Sequence, residues 1–157
     1  MTLKMEQMLA AYNVISQAKF EKLADADKIK VWKISRALKP FVYKFNEDSE
    51  DAAKTFKPCD DWDDKAIKAD EFERMTKAVN FDAQKLPIGP AEYSEIKRLY
   101  NKYQKDLAEA LKEASEKEHE VEFEQISQDA MLKLSASNPQ WTFGHLTAID
   151  IIVKVEQ

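Results

Sequence analysis

Gly89-Pro90-Ala91-Glu92-Tyr93-Ser94-Glu95-Ile96-Lys97-Arg98-Leu99-Tyr100 opens a stretch that runs on to Lys117. It carries the longest amphipathic pattern in the chain. Tyr93, Ile96, Leu99, Tyr100, Tyr103, Leu107, Ala110, Leu111 and Ala114 recur three and four residues apart, which is one face of a helix. Lys97, Arg98, Asn101, Lys102, Lys105, Glu109, Lys112 and Glu113 fall on the other face. Pro90 suits the first helical position, where its missing N–H has no partner to lose. Glu92 stands where a capping carboxylate reaches back to Gly89 N–H. At 1.5 Å per residue the helix spans about 40 Å, enough to cross a small domain. Burying its large apolar side chains contributes on the order of 10–15 kcal/mol gross, before chain entropy.

Outward from that helix the patterns are shorter. Residues 2–18 read as a helix capped by Thr2, with Met5, Met8, Leu9, Tyr12 and Ile15 on one face. Asp25 or Asp27 caps a second helix whose Val31, Ile34, Leu38, Phe41 and Phe45 make a narrow seam. That seam suits the core, or a contact with a second copy of the chain. Pro40 interrupts it and predicts a kink. From Asn46 the periodicity fades. Residues 47–74 read as an acidic surface excursion, ordered or mobile, with a short helix near 65–79 carrying Ile67, Phe72, Met75 and Val79. Leu86-Pro87-Ile88 reads as an extended piece, and His119-Glu120-Val121-Glu122-Phe123-Glu124 alternates as a half-buried strand does. Ser127 caps a helix carrying Met131 and Leu134, and Asn138-Pro139 marks a turn. Residues 147–155 carry two patterns. Thr147 with Asp150 resembles a helix cap, whereas Ile151, Val153 and Val155 alternate; helix is favoured.

The expected fold is mainly α (α+β). It is a single domain over residues 1–157, with two N-terminal helices against the long central one and a minor two-stranded β element from about 84–88 and 119–125. A chain of 157 residues is long enough to bury a core without staples. Its single cysteine forbids an intramolecular disulfide or a multi-cysteine zinc site and suits a reducing cytoplasm. No signal peptide and no apolar run of membrane-spanning length is read in it.

The order of these segments resembles a family of small tailed-phage (prophage) proteins of unknown function. The likeness rests on Lys28-Ile29-Lys30-Val31-Trp32-Lys33-Ile34-Ser35-Arg36-Ala37-Leu38-Lys39 and the Leu86-Pro87-Ile88 piece. The long helix follows, then Glu120-Val121-Glu122-Phe123, and Leu146-Thr147-Ala148-Ile149-Asp150-Ile151-Ile152 closes the chain. The acidic stretch 47–74 and Pro40 depart from the family pattern, and the family supplies no site residue to carry over. The resemblance implies a protein of the host bacterial cytoplasm and of the virion, working through phage or host protein partners.

Charge is concentrated rather than spread. Of the formal −5, the segment Glu47–Arg74 holds eleven acidic and five basic residues, a net of −6, which leaves about +1 elsewhere. Asp60, Asp61, Trp62, Asp63 and Asp64 read first as a solvated acidic loop with Trp62 tucked against the core; they are also the candidate partner-binding residues, a tryptophan among carboxylates being a plausible interface anchor. They fail as a calcium loop, because Lys65 and Ala66 occupy positions needing an oxygen donor and a glycine. His119, His145 and Cys59 form no recognisable nucleophile–base pattern, and no Gly-x-Ser-x-Gly elbow is present. Two glycines, Gly89 and Gly144, are too few for a phosphate-cradling loop. Lys97, Arg98, Lys102 and Lys105 lie on the opposite face from Tyr100 and Tyr103, which argues against a stacking nucleic-acid strip. No catalytic residue, cofactor, metal or small-molecule substrate is expected, and no membrane partner. Two functions compete: a structural or accessory phage protein, and a small acidic inhibitor docking on a host protein through 47–74.

Overall fold

The computed structural model describes residues 1–156. Its elements run β1 (Thr2–Lys4), α1 (Met5–Ser16), α2 (Asp25–Thr55), α3 (Trp62–Thr76), α4 (Pro90–Glu116), β2 (Glu118–Glu120), α5 (Gln128–Ser137) and α6 (Phe143–Ala148). The fold is mainly α with a minor two-stranded antiparallel sheet, as the sequence predicts. The described residues group into two compact units. One comprises Met1–Asp48 and the chain from Glu113 onward; the other comprises Ser49–Lys112.

The core of the first unit is built from helix faces at three- and four-residue spacing. Met5, Met8, Ala11 and Ile15 of α1 meet Val31, Ile34, Leu38 and Val42 of α2, with Ala130 and Leu134 of α5 and Ile149 and Ile152 from the chain's end. The expected seam of α2 is thus internal, with Val42 taking the buried place and Phe41 and Phe45 packed at its margin. One buried polar side chain ties this core to a loop. Asn138 Oδ1 accepts from Lys19 N–H at 2.8 Å, and its Nδ2 donates to the Lys19 and Leu134 carbonyls, both at 2.9 Å. These bonds satisfy its amide, as burial demands.

Several expectations need correction. Thr2 is not a helix cap: it lies in β1, and α1 begins at Met5 with Gln7 Oε1 accepting from Lys4 N–H at 2.9 Å. The sheet pairs β1 with β2, Leu3 opposite His119, and does not use 84–88. Ala83–Lys85 is instead a 3-10 turn capped by Asp82, and Ile88 is buried in the second unit's core. The strand pattern at 119–124 holds by side, with Val121 buried and Glu120, Glu122 and Glu124 exposed, although regular pairing stops at Glu120.

Residues 46–51, where the apolar periodicity fades and the polar sequence predicts fraying, do not end α2, which continues to Thr55 and passes through Pro40 without a break. Leu38 and Val42, fully buried on either side of the proline, hold the helix against the core there. The short helix expected near 65–79 is α3, which starts at Trp62 and ends at Thr76, leaving Val79 beyond it and exposed. The end of the chain also differs. α6 starts four residues before Thr147, at Phe143, after a cap formed by Thr142, whose N–H donates to His145 Nδ1 at 3.0 Å. Thr147 Oγ1 donates back to the Phe143 carbonyl, so it caps nothing. The alternation at 151–155 is expressed as a single parallel bridge between Val153 and Ile126.

Within the second unit, Trp62, Ala69 and Phe72 of α3 meet Ile96 of α4 and Ile88. Tyr93 N–H donates to the Gly89 carbonyl at 3.0 Å, so α4 starts where Pro90 predicts. Of its long apolar stripe only Ile96 is buried; Leu99, Tyr103, Leu107 and Leu111 are half-buried.

Candidate functional site

The residues singled out for partner binding sit at the start of α3. The chain leaves α2 at Thr55, turns through Lys57-Pro58-Cys59-Asp60-Asp61, and enters α3 at Trp62, whose N–H donates to the Cys59 carbonyl at 3.2 Å. This start places the tryptophan inward and the aspartates outward. Trp62 is only 4% exposed. Its ring stacks on Tyr100, 6.5 Å between centroids and 19° between planes, and tilts against Tyr103 at 6.3 Å. Tyr103 in turn donates to the Ala53 carbonyl at 3.0 Å. Trp62 is a core residue and offers no exposed anchor.

The four aspartates are exposed, and three face lysines of the same unit. Asp61 meets Lys65 at 3.7 Å, Asp63 meets Lys57 at 3.0 Å, and Asp64 meets Lys68 at 3.2 Å. Ion pairs this exposed contribute little to stability, but they dilute the local field. Asp61 also accepts a hydrogen bond from the Cys59 thiol. That bond raises the thiol's pKa and lowers the carboxyl's, with Lys65 adding to the latter. A thiol held protonated in this way is a poor nucleophile.

Beside Trp62 lies a cleft of about 150 Å³ lined by Trp62, Ala66, Asp70, Glu73, Lys97 and Tyr100. That is well below the usual size of a small-molecule site. Its polar wall is one network. Glu73 accepts from the Tyr93 hydroxyl and from Lys97 Nζ at 2.9 Å, and Lys97 also lies 5.5 Å above the Tyr100 ring, so these two are neighbours and not on opposite faces as their spacing predicts. The hydrogen bond from Tyr93, then that from Lys97, holds the Glu73 carboxyl below its ordinary pKa; Glu73 raises both partners. The network is internally paired, and it joins no nucleophile to a base.

The histidines have structural occupations in the first unit. His119 tilts against Phe41 at 5.4 Å. His145 caps α6 and stacks on Trp141, 6.1 Å between centroids and 3° between planes. Among the described residues no group of three or more His, Cys, Asp or Glu side chains is placed to hold a metal ion. No helix among them is long and apolar enough to cross a membrane.

The spacing in α2 predicts that Ile29, Trp32 and Val42 widen its core face; Val42 is buried, but Ile29 and Trp32 lie on the outer face. Ile29, Trp32, Arg36, Lys39 and Tyr43 recur at three and four on the side away from the buried seam, and all five are exposed. Trp32 and Tyr43 are each 55% exposed. Arg36 Cζ lies 4.9 Å from the centre of the Trp32 ring, and Lys39 Nζ lies 5.0 Å from that of Tyr43. Tyr12 of α1 meets Tyr43 edge-on at 6.5 Å. Between Lys28 and Lys44 the chain carries six basic residues and no acidic one. Lys28, Lys30 and Lys44 pair with Asp25, Glu124 and Asp48; Lys33, Arg36 and Lys39 have no ion pair among the described residues. That charge count was the available signal, hidden because the same residues interleave with an apolar pattern that explains itself as core.

Comparison of the chain with protein-family models, with curated proteins and with solved structures returns no match.

Proposed function

We propose that this chain is a non-enzymatic phage protein that works by protein–protein contact, as a structural or assembly accessory component of the virion. The observation that supports it is the outer face of α2. It holds two half-exposed aromatic rings, each covered by a cation that has no acidic partner among the described residues. Tryptophan, tyrosine and arginine are the side chains that dominate binding energy at protein interfaces. The phage setting comes from the resemblance in segment order. It places the protein in the host bacterial cytoplasm during assembly and in the particle afterwards.

The competing reading, an acidic inhibitor docking through 47–74, loses its anchor with Trp62 inside the second unit; the segment keeps its net −6, although three of the four aspartates face Lys57, Lys65 and Lys68. Mass spectrometry of purified particles from a phage carrying this gene tests the proposal. Recovery of the chain at a fixed ratio to the other particle proteins is expected. Its absence from particles while it is abundant in the infected cell would overturn the virion role.

A further inference from the structure

We infer that the outer face of α2 is a docking surface for an acidic amphipathic helix of another protein. This rests on the protein-contact reading above and names the chemistry of the partner. The spacing 29, 32, 36, 39, 43 is that of a coiled-coil seam, so α2 carries two seams: one buried in its own core, the other facing solvent. The outer seam spans about 21 Å, four turns of a straight helix. Every charged side chain between Lys28 and Lys44 is basic, and Arg36 and Lys39, which stand in the seam itself, lack ion-pair partners among the described residues. The guanidinium over Trp32 and the ammonium over Tyr43 fix those side chains before a partner arrives, which lowers the ordering cost of binding.

Charge selects among occupants. A second copy laid antiparallel along the same seam would set Arg36 against Arg36 and Lys33 against Lys39, a like-charge arrangement that interfaces avoid. An extended polyanion is disfavoured for a different reason. The basic stretch is short and bracketed by acid: Asp25, Asp27 and Glu124 stand at its start, Glu47 and Asp48 at its end. A nucleic-acid strand or an anionic bilayer running past the seam would meet those carboxylates. The cations over the two rings also occupy faces on which bases would stack. A single helix with apolar residues along its seam and glutamates beside it matches the stripe in length, shape and sign.

The test uses the full chain and a synthetic amphipathic helix, labelled for fluorescence anisotropy, with leucine along its seam and glutamate flanking it. A lysine-flanked version of that peptide, single-stranded oligothymidylate and phosphatidylglycerol vesicles serve as the other probes. The glutamate peptide is expected to bind saturably and to weaken with salt. Trp32→Ala should weaken it at least about tenfold. The double substitution Arg36→Glu with Lys39→Glu should abolish that binding and transfer preference to the lysine-flanked peptide. These side chains are exposed, so the variants keep their fold, which circular dichroism verifies. No saturable binding, or binding that ignores both substitutions, overturns the inference. So does tighter binding of the oligonucleotide or the vesicles with the same dependence on Trp32. The titration needs no particle, so absence of the chain from virions and failure here are separate results.

Discussion

Trp62 shows how one residue type serves two readings. Its indole beside four aspartates reads either as tucked against the core or as an anchor, and the first holds: it fills the space between Tyr100, Tyr103 and the apolar residues of α3. Trp62→Ala is therefore expected to cost about 3–5 kcal/mol of stability by urea unfolding. Changing Asp60, Asp63 and Asp64 to Asn should leave stability nearly unchanged, since exposed pairs contribute little. At Cys59 the bond to Asp61 keeps the thiol protonated. Alkylation near pH 8 should be slower than for a free thiol, and Asp61→Asn should speed it; equal rates would remove the bond. Glu73 gives a pH dependence. Its carboxyl is held below the ordinary value, so its contribution is fully present above the unfolded carboxylate pKa and is lost as pH falls through the folded one. Glu73→Gln should accordingly lower the melting temperature at neutral pH, with the difference from the parent chain vanishing in acid.

At the scale of elements, α2 sets its local propensity against its packing and packing wins. Pro40 removes the hydrogen bond to the Arg36 carbonyl, but buried Leu38 and Val42 keep the helix running. Pro40→Ala should stabilise the chain by about 1–2 kcal/mol in thermal or urea unfolding; a loss would mean that the proline sets a bend the core requires. Helices announced by long periodicity or by a cap were legible: α4 starts at Pro90, and Ser127 Oγ accepts from Ala130 N–H at 3.1 Å as its position predicts. The sheet was not. A three-residue strand leaves almost no pattern, and nothing in Thr2-Leu3-Lys4 names Glu118–Glu120, more than a hundred residues away, as its partner. The acidic end of α2 was missed for a related reason. Glu47, Asp48, Glu50 and Asp51 lack an apolar period because that turn is solvated, although Glu47 and Glu50 are competent helix formers.

For the whole molecule, the direction of the two tryptophans was legible at one and misread at the other. Trp62 lies inward as a lone indole among solvated aspartates suggests, whereas Trp32, grouped by its spacing with the core face of α2, lies outward. The outward one sits in a patch whose charge opposes the chain's net −5, which is the arrangement that steers an acidic partner to one place on an acidic protein. Contact of this patch with another protein is the central proposal. A photoreactive benzophenone amino acid in place of Trp32, with a matched control in place of exposed Ile67 of α3, tests it during infection by a phage carrying the gene. Irradiation is expected to join position 32, and not 67, to one protein through a peptide that is acidic and helical. Equal labelling from both positions, or none from position 32, would contradict the claim.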